Sequence, residues 1–289
     1  MNIRRALLLG LIIVSAGWIT GCSIHTSSAK ANDIGVTLPS QTSTEVFPTF
    51  TPASTSTPAA AVTPDAPNPT PTQISFTSGI SAAEASFLAN HEITQGDKHK
   101  NILMITYDDG GAPRDIERLM DAADLFHGKI TFFVTGVWLT KHPDAAKEIV
   151  QRGDLVECHG WDHTLMSTMD EADFRKQIVD FLTAANQILP GYQVKYIRFP
   201  YGSRTQKDRD IAAEYGLQSV MWNAEIRPDE KSLADLESRI KWGTVLLAHS
   251  TRPLDVNWAY NFFKTLHEKG YEFLTLDDGR NSADVWNGN

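Results

Sequence analysis

Between residues 98 and 278 the chain alternates two patterns of apolar and polar positions. Short runs rich in apolar and β-branched residues lie at 102–106, 130–135, 155–158, 196–199, 219–222, 244–248 and 272–276. Between most of them, apolar residues recur at helical spacing, at 113–126, 143–152, 171–188, 206–215, 233–241 and 256–269. Arg152-Gly153, Tyr215-Gly216 and Lys269-Gly270 read as helix ends, because glycine accepts the left-handed conformation that closes a helix. Strands alternating with helices predict an α/β fold, a parallel sheet with helices outside. About seven strands predict a distorted (β/α) barrel, closed or incomplete, rather than a six-stranded open sheet. A short helix over 81–91 precedes this region, and no internal repeat is visible.

The first 75 residues follow neither pattern. Arg4 and Arg5 precede an apolar run over 6–19, which is shorter than the roughly 20 residues a membrane-spanning helix needs. Ile19-Thr20-Gly21-Cys22 resembles the bacterial lipobox. The resemblance implies a lipoprotein-type signal peptide over 1–21, with a lipid on Cys22 that anchors the chain to the outer side of a bacterial membrane; secretion through an ordinary cleaved signal is the alternative. Residues 23–75 hold eight of the fourteen prolines, 19 Ser or Thr and only four charged residues. Such a stretch has no apolar periodicity with which to bury a core. Residues 22–75 therefore read as a tether, reaching roughly 160 Å if extended. Residues 76–289 read as the folded domain, with its core over 98–279.

Composition narrows the function classes. The 289 residues carry a formal charge of -9, and 42% are hydrophobic. A wholly disordered chain is excluded, and the acidic balance argues against a nucleic-acid partner. Two cysteines, Cys22 and Cys158, exclude a disulfide scaffold.

The chemistry gathers at predicted strand ends, which in parallel barrels converge on one rim. Asp108 and Asp109 follow the first strand, His159 and His163 the third. Arg198 and Tyr201 bracket the end of the fourth, Glu225 follows the fifth and His249 the sixth. Histidines at i and i+4 share one face of a helical turn and can reach one metal ion; alone they read equally well as unrelated loop residues. Two adjacent carboxylates after a buried strand repel unless each has a cationic partner. One on a divalent cation and one kept as a base resolves that repulsion, while a helix-capping turn is the bland reading. Arg198 can hold a carboxylate by a bidentate pair, and the N–H of Tyr201 can face a developing oxyanion. His249 ends a very apolar strand. It is either a satisfied core residue or, opposite a metal, a general acid. Tyr107, Trp138, Trp161, Tyr201, Trp222 and Trp258 lie near the rim and are candidates for stacking on sugar rings.

Together these residues resemble the polysaccharide deacetylase family, also called the NodB homology domain or carbohydrate esterase family 4. The resemblance covers roughly residues 98–279. It rests on Thr106-Tyr107-Asp108-Asp109-Gly110, on His159 to His163, on Arg198-Phe199-Pro200-Tyr201 and on Leu247-Ala248-His249. It implies a divalent metal on Asp109, His159 and His163, zinc being favoured by two imidazoles and a carboxylate, with cobalt or nickel also fitting. It further implies that Asp108 acts as base on a metal-activated water, with Arg198 orienting it, Tyr201 stabilising the oxyanion and His249 as acid. The implied substrate is an N-acetylated polysaccharide: peptidoglycan, chitin-like or poly-N-acetylglucosamine.

Two departures stand out. Gly160 replaces a hydroxyl residue that helps to hold the histidine loop. The family's fourth motif, Trp-x-x-Asp-x-x-Asp-Trp, is here Trp222 to Asp229, with Glu225 in the place of the first aspartate, Pro228 in that of the second and Asp229 in that of the tryptophan. That region orients the acid histidine in the family, so Glu225 is the candidate here. An O-acetyl esterase on xylan-like glycans and a glycan-binding pseudoenzyme are the competing readings.

Overall fold

The computed structural model describes residues 79–288. The signal segment, Cys22, the tether and residues 76–78 lie outside the described residues.

Eight parallel strands form one sheet: β1 Ile102–Asp109, β2 Ile130–Val134, β3 Leu155–Cys158, β4 Tyr196–Ile197, β5 Gln218–Ser219, β6 Ala224–Glu225, β7 Thr244–His249 and β8 Glu272–Phe273. Their order is β5-β4-β3-β2-β1-β7-β6, with β8 paired only to β1. No strand pair closes β5 onto β6 among the described residues, so seven strands form a curled, incomplete barrel. β8 meets β1 at Ile102 and Leu103, below the point where β2 begins to pair at Ile105.

Helices follow the strands: α1 Ala82–Asn90, α2 Pro113–Asp124, α3 Gly136–Lys141, α4 Pro143–Gln151, α5 Glu171–Ile188, α6 Gln206–Glu214, α7 Leu233–Glu237, α8 Pro253–Glu268 and α9 Leu276–Gly279. α2 starts with proline, whose missing N–H costs nothing there. It buries Ile116, Leu119, Met120 and Ala123, one helical stripe. α6 opens with a capping box between Thr205 and Asp208.

Several boundaries differ from the sequence pattern, three of them near the rim or the end of the sheet. β1 runs on through both aspartates. The expected fifth strand is broken into β5 and, after a gap, β6. The last strand stops at Phe273, and Leu276, expected to end it, begins α9.

The sheet has two apolar faces. Leu103, Ile105 and Tyr107 join the large outer core with the helices, whereas Met104, Phe133, Tyr196, Val220 and Val245 fill the barrel interior. Side chains alternate along a strand. Thr106 and Asp108 therefore share the inner face with Met104, Arg198 shares it with Tyr196, and His249 with Val245. Each inner face runs from apolar below to polar at the C-terminal rim.

Candidate metal centre and active site

The rim collects the predicted residues by three routes. Strand register supplies the first: Asp108 on β1 and His249 on β7 are cross-strand partners. A buried cation supplies the second. Arg198 has no exposed side-chain surface, and its NH1 donates to Asp108 Oδ1 at 2.7 Å and to Thr106 Oγ1 at 2.7 Å. Its remaining donors go to the carbonyls of Val220 and Met221, and the guanidinium lies 4.2 Å from the ring centroid of Phe133. The expected bidentate clamp is thus a single-point pair, because backbone carbonyls take the other N–H groups. Burial pulls Arg198 below its ordinary value while the charge of Asp108 works against that shift.

Backbone conformation supplies the third route. Asp109, His163 and Tyr201 all have positive φ (79°, 65° and 61°), which is uncommon for residues with side chains and gathers at functional sites. At Asp109 this turns the carboxylate away from the direction a regular strand would give it. Gly110 continues the turn at φ 79°, and a side chain there would overlap the indole of Trp138. Trp138 also donates from Nε1 to the Gly111 carbonyl at 2.6 Å.

The result is a convergent donor set. Asp109 Oδ1 lies 3.5 Å from His159 Nε2 and 3.3 Å from His163 Nε2. Ligand atoms of the three residues all lie within 4.8 Å of one another. His159 Nδ1 sits 2.7 Å from the Arg198 carbonyl and, as the donor to it, leaves the Nε2 lone pair aimed into the site. Asp109 Oδ1 is buried without a hydrogen-bond partner, while Oδ2 accepts from Thr251 Oγ1 at 3.0 Å. Two imidazoles and an oxygen with no other partner fit a divalent cation. Burial alone would raise the Asp109 carboxyl; the neighbouring His159 ring and Thr251 hydroxyl bring it down to about 2.

The histidine pair reaches this arrangement through a loop, not the expected helical turn. Gly160 has φ 72°, a conformation that disfavours the serine or threonine the resemblance led one to expect. Gln177 on α5 holds the loop: its Oε1 accepts from the N–H of Trp161 at 2.7 Å, and its Nε2 donates to Asp162 Oδ1 at 3.1 Å.

The fourth-motif candidate is placed elsewhere. Glu225 lies opposite Leu247, two residues below His249. Among the described residues its side chain makes no hydrogen bond or ion pair with His249, and it lines a separate cleft of about 480 Å³ with Trp222, Arg227 and Lys241. Asp255, in the first turn of α8, accepts the main-chain N–H of His249 at 2.7 Å. Burial pushes the His249 imidazole down, with Asp108 opposing, and His249 Nδ1 is buried without a partner.

A cleft of about 620 Å³ opens beside the candidate ligands, lined by Asp109, Val137, Trp138, Lys141 and Thr251 among others. Tyr201 is 68% exposed and packs edge-on against His163, with centroids 4.6 Å apart. It is the most exposed of the predicted rim aromatics: Tyr107 and Trp138 are buried, and Trp161, Trp222 and Trp258 are half-buried. Cys158 is buried, and burial pushes its thiol up to about 12, so it has no thiolate to offer. Sequence reasoning missed Thr251, Asp255, Gln177 and the buttressing role of Trp138. For the first two a local signal existed, since both closely follow His249. Among the described residues no helix is long and apolar enough to cross a membrane.

Comparison with known proteins places this geometry. Residues 95–220 match the polysaccharide deacetylase family. A peptidoglycan-N-acetylmuramic acid deacetylase of Bacillus subtilis is 25% identical over 186 residues, 62% of this chain and 39% of that protein. The chain thus spans well under half the length of that relative. A peptidoglycan N-acetylglucosamine deacetylase solved with a hydroxamate-type benzamide aligns at 26% identity and TM-score 0.61, covering 66% of this chain and 92% of that one. A Bacillus anthracis carbohydrate esterase family 4 pseudoenzyme shares the fold at 22% identity and TM-score 0.59, covering 65% and 68% of the two chains.

Proposed function

The folded part of this chain is a polysaccharide deacetylase domain, and from that premise we propose that it removes N-acetyl groups from amino sugars of a cell-envelope polysaccharide, peptidoglycan first among them. The observation that carries the reading is the unpartnered, buried Asp109 Oδ1 facing Nε2 of both His159 and His163, one residue from a carboxylate paired with buried Arg198.

Asp109, His159 and His163 would hold the metal, zinc in first place. When bound, it supplies Lewis acidity toward water and the acetyl carbonyl. Asp108, fixed by Arg198, takes a proton from the attacking water. The N–H of Tyr201 donates to the oxygen on which charge develops. His249, across from Asp108 in the β1–β7 register, gives a proton to the departing sugar nitrogen. Acetate and a free amino sugar result. The exposed Tyr201 ring offers one stacking surface for the glycan. The lipobox-like Ile19 to Cys22 supports export and lipid anchoring at Cys22, and the mass of the N-terminal peptide checks it.

The test is metal content of the purified full chain together with acetate release from peptidoglycan, chito-oligosaccharide and O-acetylated xylan. The expected result is bound zinc and release from the N-acetylated glycans. Preferential release from xylan makes the chain an esterase. Zinc bound with no release from any substrate makes it a glycan-binding pseudoenzyme, the reading that the displaced Glu225 favours. No metal at all overturns the site.

A further inference from the structure

The segment that follows the acid histidine grips the metal-ligand strand, and its grip is specific. Gly111, just past β1, lies against the main chain of Ser250 so closely that a side chain there would overlap the Ser250 carbonyl. This approach lets Ser250 donate from Oγ to the Asp108 carbonyl at 2.9 Å, and from its N–H to the same oxygen at 3.3 Å. The next residue, Thr251, donates to Asp109 Oδ2 at 3.0 Å. On the far side, Arg252 donates from NH2 to the Ile226 carbonyl at 2.7 Å and to Asp255 Oδ2 at 2.6 Å, and Asp255 in turn accepts the N–H of His249. The Thr251 hydroxyl is therefore held in place by contacts on both sides of it.

We infer that Thr251 is a positioning residue for the metal ligand Asp109: it occupies Oδ2 and so presents Oδ1 alone to the cation. A carboxylate on a turn can rotate, and its two oxygens compete for any cation that approaches. With Oδ2 engaged, the rotation is stopped and the oxygen that faces His159 and His163 is the one without a partner. Partners of metal ligands outside the coordination sphere set affinity in this way, and losing one costs typically 10–100-fold in metal binding. Ser250 has a different task, because it holds the Asp108 main chain and touches no metal ligand. Adjacent hydroxyls thus divide between the two aspartates.

The inference rests on the metal reading of Asp109, His159 and His163, and the experiment separates the two. Zinc affinity of the metal-stripped full chain is measured by chelator competition for the parent, Thr251→Val, Thr251→Ser and Ser250→Ala, and urea unfolding of the metal-stripped proteins is measured in parallel. Valine keeps the shape of threonine and removes the hydroxyl. Thr251→Val is expected to bind zinc about 10–100-fold more weakly, Thr251→Ser to recover most of that loss, and Ser250→Ala to bind like the parent. Thr251 is exposed, so the unfolding midpoint of the stripped valine variant should match the parent. Parent-like zinc binding by Thr251→Val overturns the inference and leaves the metal site standing, as does a failure of serine to restore binding. A parent that binds no zinc sinks the metal reading itself. If Thr251→Val unfolds, Thr251→Ala takes its place beside the serine variant: equal affinities of alanine and serine variants, with the fold intact, overturn the role of the hydroxyl.

Discussion

Two aspartates at opposite ends of the barrel, each with one buried oxygen, have the same local defect and different surroundings. Asp109 at the rim and Asp154 at the foot of β3 each keep one oxygen without a hydrogen-bond partner. At the rim, two imidazoles and a threonine hydroxyl converge, and the carboxyl, which burial would raise, falls to about 2. At the foot, burial pushes Asp154 up to about 6, opposed mainly by one N–H, that of Ile130 at 2.7 Å. An orphan oxygen alone therefore does not mark a metal site. Convergence of two imidazole nitrogens on it is what makes Asp109 the candidate ligand, because together they can hold a cation that a lone carboxylate cannot.

The strongest break of this comparison is substitution at both ends. Asp109→Ala should abolish zinc content and acetate release together, whereas Asp154→Ala should leave zinc content unchanged. Metal loss in both variants would show that the contrast is one of folding, not of ligation.

Next in size is Asp108→Asn, which should keep the metal and lose about 10²–10⁴-fold in turnover, the usual contribution of a positioned base. Equal loss of metal would mean that Asp108 is a ligand.

Arg198→Met strips the buried cation from Asp108. Removing one member of a buried pair costs roughly 3–5 kcal/mol because the other charge stays buried. Urea unfolding reads this, and a loss below about 1 kcal/mol would mean that the pair contributes little to stability.

The smallest effect belongs to the foot. Asp154 holds its proton more tightly folded than unfolded, so the folded state binds more protons between pH about 4 and 6 and stability falls as the pH rises through that window. Asp154→Asn keeps an acceptor for Ile130 and should remove this slope, gaining at most about 3 kcal/mol at neutral pH. Stability curves of parent and variant that run parallel from pH 4 to 7 would exclude it.

Much of the rim was legible because strand periodicity and chemistry coincide. An apolar run such as Val245-Leu246-Leu247-Ala248 ending in His249 announces a buried strand with a polar tip. Edge strand β6, two residues long, left no such pattern, and Glu225, opposite Leu247, makes no hydrogen bond with the His249 that it was expected to orient. Gln177 was unreadable because its contact spans a helix and a loop that meet only when folded. The rim aromatics looked alike in sequence, yet Tyr201 is exposed while Trp138 is spent on covering Gly110.

By itself the chain determined the order of strands and helices and the residue types at each strand end, since periodicity and turn chemistry are local properties. Only the tertiary structure decided which oxygen of which aspartate stands free, which carboxylate receives the arginine and which residue holds His249. Those outcomes depend on the register between β1 and β7 and on left-handed turns at Asp109 and His163. Both are set by packing between segments distant in sequence, whose contacts exist only once the sheet has curled.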